Sequence, residues 1–233
     1  SALVSALVLG PRLGLGSEPM DPHDATMAVL GAVLLWFGWF GFNAGSALAA
    51  SGVAVNAFVV TNTSAAMAAL TWMTVSWAHR GRPSVLGIAT GAVAGRVAIT
   101  PAAGFVNAQA AILIGAGAGT ICYFATQLKG RLRVDDALDV WSVHGVGGTW
   151  GALATGLFAT LAVNGAGANG LVYGDPSLLG KQAIAVVVTW VDSAAVTWLI
   201  LKGLDITVGL RVQEREEVLG LDASQHGEMA YQP

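Results

Sequence analysis

The stretch WFGWFGFNAGSALAA, residues 36–50, lies in the longest part of the chain that has no charged side chain. That part extends between Asp24 and His79 and is long enough for two transmembrane helices of about 20 residues each. The segment SGVAVN at 51–56 separates them as a turn. The stretch therefore predicts a membrane protein. Its Asn and Ser are polar groups that a purely apolar span does not need.

Composition extends this prediction to the whole chain. Of its 233 residues, 55% are hydrophobic and 11% are charged, whereas soluble domains carry about 25% charged residues. The 31 glycines favour close helix packing in lipid. The apolar segments are too long for barrel strands and do not alternate apolar and polar residues. The predicted fold class is an all-α integral membrane protein.

Apolar segments separated by polar loops predict six transmembrane helices between residues 24 and 209. The apolar run at 1–9 is too short to cross a bilayer. It is predicted to be the end of a helix that starts upstream, so the chain is expected to be a fragment. Residues 210–233 are predicted to form a polar tail. The predicted transmembrane helices cover about 25–50, 57–78, 85–99, 107–127, 137–163 and 181–204.

The basic residues predict how these helices are oriented. Arg80 and Arg82 flank one short loop, and three more basic residues at 129–133 flank another loop two spans later. By the positive-inside rule, both loops face the cytoplasm. The loops at 100–106 and 164–180 are then expected outside, and the C-terminal tail is expected in the cytoplasm.

Sequence signatures of several other functions are missing from the chain. It has no GxGxxG motif, no phosphate-binding loop and no basic face for nucleic acid. Its four histidines are scattered, and Cys122 is the single cysteine, so neither residue type has metal-ligand spacing. We therefore do not expect enzymatic activity, a cofactor, a metal ion or a nucleic-acid partner.

His144 is an ionisable residue placed near mid-membrane in a predicted span. It follows Asp136 by eight residues, which is roughly 12 Å at the rise of an α-helix. Ionisable groups at such a depth are rare and usually face a cavity or a partner. A neutral imidazole both donates and accepts hydrogen bonds. His144 therefore either contacts a small polar solute or bonds to a neighbouring helix.

Trp39, Phe42 and Ser46 are spaced to lie on one face of a helix. Aromatic ring faces attract cations, and a hydroxyl accepts hydrogen bonds. The predicted orientation makes Ser46 the outermost of the three and Trp39 the deepest. Ordinary packing explains the same pattern. Asn43 lies on a neighbouring part of the helix and is predicted to bond to another helix.

Several motifs together resemble the Amt/Mep/Rh family of ammonium transporters, the Amt branch most closely. The resemblance covers essentially the whole chain and follows the order of the motifs in the family. It implies the second five-helix inverted repeat of the ammonium transporter fold, followed by a long final helix and a cytoplasmic tail. The motifs are WFGWFGFNAGSA at 36–47, TPAAGFV at 100–106, DDALDVWSVHGVGGTWG at 135–151, and DITVGLRV at 205–212 with HGEMAY at 226–231.

The resemblance also implies a function, which is channel-like transport of ammonium or ammonia. The cation is recruited at the outer mouth and loses a proton, and ammonia then passes an apolar lumen lined by a pair of histidines. The first pore histidine is expected upstream of Ser1. The matching positions are His144, Trp39 and Val140 in the pore, Phe42 and Ser46 at the outer gate and recruitment site, and Asp139 at the inner mouth.

The family resemblance carries expectations about partners and location as well. It implies a homotrimer in the plasma membrane, and a PII signalling protein is a possible partner at the cytoplasmic face. An ammonium sensor or receptor on the same fold is the alternative function. Transport of another solute, such as carbon dioxide or a methylamine, is a third possibility.

Two charged residues depart from the family pattern because they lie inside predicted spans. Arg96 is in the segment GAVAGRVAITP, and Asp192 is in the last span. One hypothesis is that they pair, since each would offset the cost of the other in the membrane. The alternative for Arg96 is that its side chain extends to the outer membrane surface.

Overall fold

Polar residues set where four of the helices begin. A serine, asparagine or aspartate stands directly before each of four helices, and its side-chain oxygen accepts a hydrogen bond from a backbone N–H of the first turn. Such caps satisfy backbone groups that have no partner inside the helix. The bonds run from Met27 N to Asp24, from Ala54 N to Ser51, from Gly87 N to Ser84 and from Ala110 N to Asn107.

The computed structural model describes residues 1–229, and their regular structure is helical apart from one isolated β-bridge between Leu15 and Glu18. The end of the predicted tail, with part of the HGEMAY motif, lies outside these residues. The helices are α1 (Ala2–Leu9), α2 (Ala25–Asn43), α3 (Gly52–Arg80), α4 (Val85–Ile99), α5 (Ala108–Arg131), α6 (Val146–Phe158), α7 (Ser177–Thr207) and α8 (Glu214–Leu219).

Four helices within the described residues have the length and hydropathy of transmembrane spans. They are α2 with the short turn that follows it, then α3, α5 and α7; α4 is apolar but shorter. The most apolar windows of α2 and α7 have no buried residues, whereas a third or more of those in α3 and α5 is buried. The apolar surfaces of α2 and α7 are therefore available to lipid or to other protein.

Small residues allow α3 to pack closely between α4 and α5. A side chain at Gly95 of α4 or at Gly115 of α5 would overlap the backbone of Ser64 on α3. The Ser64 hydroxyl donates to the carbonyl oxygen of Gly95 at 2.8 Å. Gly151 of α6 meets the backbone of Ala98 on α4 in the same manner. Close backbone approach at small residues is typical of helix pairs in membranes.

Contacts between loops divide the structure into two ends. At one end, Arg12 hydrogen-bonds to Asp135, and Arg211 of the tail donates to the carbonyl oxygen of Leu9. At the other end, Thr160 N donates to the carbonyl oxygen of Phe105 at 2.9 Å. The loops before α2 and after α5 and the start of the tail thus share one end.

Gly151 offers a direct test of this close packing. We expect Gly151→Ala to lower the free energy of unfolding by about 1–3 kcal/mol, because the new methyl group collides with a backbone carbonyl that cannot rotate away. Gly203→Ala on α7 is the control, since a Cβ there meets nothing within 4 Å. Unfolding of the natural protein in mixed micelles measures both. Equal stability of the two variants would contradict the packing.

The ion pair between Arg12 and Asp135 predicts a dependence on pH. Hydrogen bonds from Arg12 lower the pKa of the Asp135 carboxyl below its ordinary value. A lowered pKa in the folded state stabilises the fold above the unfolded pKa of about 3.9, and this contribution is lost as the pH falls through the folded pKa.

We therefore expect Asp135→Asn to lower the unfolding midpoint at pH 7, and the difference from wild type to shrink as the pH falls below about 4. Midpoints measured at several pH values check this. A difference that stays constant down to pH 2 would show that the carboxylate charge does not stabilise this end of the fold.

Candidate functional site

His144 lies where two grooves of the structure meet. The α2–α4 groove has a volume of about 680 Å³ and the α1–α7 groove about 560 Å³, and the exposed His144 side chain lines both. Val140 lines the α1–α7 groove together with residues of α1 and with Thr149 and Trp190. The α2–α4 groove is lined by Leu34, Leu35, Gly38, Trp39, Phe42, Val97, Thr100 and His144.

A π-helical turn, Trp141–Gly145, places His144 in this position. Buried Asp136 caps the turn, because its carboxylate accepts from Val140 N at 3.1 Å and from Trp141 N at 2.7 Å. Sequence reasoning predicted one span over 137–163, but helical structure here covers 141–158. The chain turns at Asp139, whose φ of 55° lies in the left-handed region.

Asp139 is bound to a lysine at this turn. The Lys129 ammonium is 2.5 Å from a carboxylate oxygen of Asp139 and 2.5 Å from the carbonyl oxygen of Asp136. Lys129 thus connects the end of α5 to the start of the π-helical turn. The charge of Asp139, the residue matched to the inner mouth, is compensated by a neighbour.

Trp39 and Phe42 form the aromatic wall of the α2–α4 groove. Their ring centroids are 6.0 Å apart in an edge-to-face arrangement, a favourable geometry for aromatic pairs. Trp39 Nε1 donates to the Thr100 hydroxyl at 2.8 Å, and Thr100 donates to the carbonyl oxygen of Arg96 at 2.7 Å. The Trp39 ring is therefore held by α4.

Ser46 does not line this groove. Helix α2 ends at Asn43, and Ser46 lies in the 3₁₀ turn Gly45–Ala47, so helical spacing no longer places it on the face of Trp39 and Phe42. Its exposed hydroxyl donates to the carbonyl oxygen of Phe42 at 2.5 Å. Asn43 donates to the Thr61 hydroxyl of α3 at 3.0 Å, which confirms its prediction as a helix–helix hydrogen bonder.

The hypothesis that Arg96 pairs with Asp192 is wrong. Arg96 is fully buried between α4 and α2, and Asp192 is exposed on α7. The Arg96 guanidinium donates to the carbonyl oxygen of Ala32 and faces the rings of Trp36 and Trp39. The side chain therefore turns toward α2 and does not extend to the membrane surface, so the alternative prediction is wrong as well.

Sequence reasoning also missed two residues of this region. Thr100, at the end of α4, receives the Trp39 hydrogen bond, and Trp190 of α7 donates to the Thr149 hydroxyl at 2.9 Å beside the α1–α7 groove. The TPAAGFV motif begins at Thr100 and was a usable signal for it. No signal in the sequence indicated Trp190, because residue spacing within α7 does not show which helix the Trp190 side chain contacts.

Comparisons with known proteins agree on one family. A sequence model described as the Ammonium Transporter Family matches residues 1–231. The chain is 50% identical over 231 residues to the ammonium transporter Amt1 of Archaeoglobus fulgidus, which covers 99% of this chain and 58% of that protein.

Solved structures are similar to the chain over nearly its whole length. The crystal structure of Candida albicans Mep2 has a TM-score of 0.85 at 39% identity and covers 92% of this chain and 50% of that one. A structure described as a sensor Amt protein has a TM-score of 0.85 at 31% identity and covers 96% and 56%. The chain thus spans about half the length of these proteins, and its fold is that of an all-α integral membrane protein.

The capping carboxylate of Asp136 generates a prediction about the turn that carries His144. We expect Asp136→Ala to lower the free energy of unfolding by about 1–2 kcal/mol, because two backbone N–H groups lose their acceptor. Asp139→Asn is the matched control, which removes one ion pair and should cost about 1 kcal/mol or less. Unfolding in mixed micelles measures both, and a smaller cost for Asp136→Ala than for Asp139→Asn would contradict the capping role.

Proposed function

The chain belongs to the ammonium transporter family, and we propose that its protein carries ammonium or ammonia across the membrane, with the α2–α4 groove forming part of the pore. The placement of His144 beside Trp39 and Phe42 in a largely apolar lining carries this proposal. Such a lining excludes a bare charge, because transfer of an ion from water into an apolar medium is very costly.

Recruitment of the cation is assigned to the end of α2. The ring face of Phe42 attracts a cation at the outer mouth. Ser46 uses its proton to bond the carbonyl oxygen of Phe42, so the lone pairs of its hydroxyl are free to accept a hydrogen bond from ammonium. Ser46 thus acts just outside the groove, and Phe42 acts as a gate into it.

Passage is assigned to His144 and a second histidine from outside the residues of this chain. Ammonium releases a proton to water at the outer mouth before it enters the apolar segment, and neutral ammonia crosses at much lower cost. At the inner mouth ammonia takes a proton from water and ammonium forms again. A neutral imidazole donates a hydrogen bond with one ring nitrogen and accepts one with the other. The pair can therefore hold ammonia or pass on a proton, while Trp39 and Val140 form the wall.

Release is assigned to the end of the structure that contains the π-helical turn. Asp139 attracts a cation at the inner mouth, and Lys129 offsets its charge. A compensated carboxylate binds the released ammonium weakly, which favours its departure. The same end contains the basic loops that indicate the cytoplasmic side.

The surroundings of the pore are part of the same proposal. The protein is a homotrimer in the plasma membrane, with its C-terminus in the cytoplasm and a PII signalling protein as a partner at that face. The exposed apolar surfaces of α2 and α7 support burial against lipid and against further protein, since many of their aromatic or large aliphatic side chains are more than half exposed. Examples are Phe37 and Leu34 on α2 and Val191 and Leu199 on α7.

The second candidate function is ammonium sensing. The similarity to the sensor Amt protein favours it, because that match extends over 96% of the chain. A sensor binds ammonium at the same outer site and passes the signal to a partner without rapid flux. Ammonium flux into vesicles therefore separates the two functions.

A variant of His144 tests the proposed role most directly. We expect His144→Leu in the complete natural protein to lower ammonium flux into reconstituted vesicles by roughly tenfold or more, the factor that corresponds to a loss of about 1.4 kcal/mol of hydrogen bonding in the pore. Assembly and thermal stability should change little, since the side chain is exposed to the grooves.

The control is His79→Leu, the same change of residue type at a histidine that bonds to Tyr123 and lines neither groove. Its flux should stay near that of the wild type. Wild-type flux in the His144→Leu variant would show that His144 is not a pore residue.

A further inference from the structure

Arg96 is a buried cation that the proposed transport mechanism leaves unexplained. Its side chain has no exposed surface, and it lies in the last turn of α4. No carboxylate forms an ion pair with it among residues 1–229. A guanidinium stays protonated in proteins, and a buried, unpaired charge is expensive. A residue with such an energetic cost is more readily kept in a protein where its charge has a function.

Three residues of α2 hold the guanidinium in place. Its Nη1 donates to the carbonyl oxygen of Ala32 at 3.1 Å, and its carbon atom Cζ is 5.3 Å from the centre of the Trp36 ring and 5.5 Å from that of Trp39. Nε donates to Ala92 on its own helix at 3.1 Å. Nη2 is buried without a hydrogen-bond partner in the described structure. The positive charge is thus neutralised by no anion and is balanced only by ring faces and backbone dipoles.

The charge lies against the ring of Trp39, a residue that lines the α2–α4 groove. Trp39 lines the groove, and so do Val97 and Thr100, which are the next residue and the next turn after Arg96 on α4. Arg96 itself is not part of the lining. Because Arg96 already occupies the vicinity of the Trp39 ring, that ring attracts a second cation in the groove less strongly than a free indole would.

We propose that Arg96 is a specificity-determining residue, whose fixed positive charge raises the barrier to cations in the α2–α4 groove and leaves a neutral solute unaffected. This inference rests on the proposed function, because it assumes that a solute passes the groove. Ammonia carries no charge and is not repelled, whereas an ion such as K⁺ cannot lose its charge by releasing a proton. Arg96 would therefore favour the neutral species through its electric field, although it does not line the groove or touch the solute.

Coulomb's law sets the size of the expected effect. Repulsion between two unit charges about 10 Å apart, at an effective dielectric constant of about 20, lowers the population of the cation in the groove on the order of tenfold. An effect of this size is measurable as a K⁺ leak.

The test uses the complete natural protein in vesicles, with K⁺ leak and ammonium flux measured on the same preparations. Arg96→Met removes the charge and keeps an unbranched apolar chain. Trp36→Glu and Trp36→Gln form a second pair of nearly equal shape, in which only Glu places a compensating carboxylate beside Arg96. Trp36 lines neither groove.

We expect Arg96→Met and Trp36→Glu to raise the K⁺ leak about tenfold, and Trp36→Gln to leave it at the wild-type level. If Arg96→Met does not assemble, the Trp36 pair decides alone. An unchanged leak in Trp36→Glu, or an equal rise in Trp36→Glu and Trp36→Gln, would overturn the inference, since the charge would then have no effect of its own.

The two proposals fail in different ways. If the wild type transports ammonium but the K⁺ leak of the variants does not change with the charge at or beside Arg96, only the role of Arg96 is overturned. If the K⁺ leak of the variants does change with that charge but the wild type shows no ammonium flux, the role of Arg96 is supported and only ammonium transport is overturned.

Discussion

Close packing of α3 against α4 and α5 is the constraint on which the rest of the structure depends. Without a hydrophobic driving force between helices in lipid, contact requires small residues and satisfied polar groups, and Gly95, Gly115 and Ser64 supply them here. This packing fixes α4, whose C-terminal end presents Thr100 to Trp39. The aromatic wall of the α2–α4 groove is therefore positioned by helix packing, although no residue of α3 or α5 lines that groove.

Much of the fold could be predicted from where charges are absent. The charge-free part between Asp24 and His79 contains α2 and all but the last two residues of α3, and the capping residue Ser51 stands between them. The π-helical turn before α6 could not be predicted, because hydropathy over 137–163 does not show that the Asp136 carboxylate takes two backbone N–H groups. Spacing brought Trp39 and Phe42 to one groove but misplaced Ser46, since α2 ends before that residue is reached.

The partner of Arg96 lies beyond what one sequence can indicate. Ala32 accepts its hydrogen bond from 64 positions away along the chain, and the choice between α2 and α7 depends on how the helices pack. The sequence pointed to a carboxylate because an unpaired buried charge is costly, whereas the structure surrounds the guanidinium with two indole rings. A cation that is held without an anion keeps its field, and this field reaches the groove lined by His144.

One groove with an apolar lining, an aromatic wall and an imidazole accounts for the transport of a small solute that changes its charge on the way. Uptake of ¹⁵N-labelled ammonium by vesicles that contain the complete wild-type protein tests this account most directly. We expect uptake well above that of protein-free vesicles, with no matching entry of K⁺. Uptake equal to that of protein-free vesicles, in preparations where the protein is folded and inserted, would contradict it.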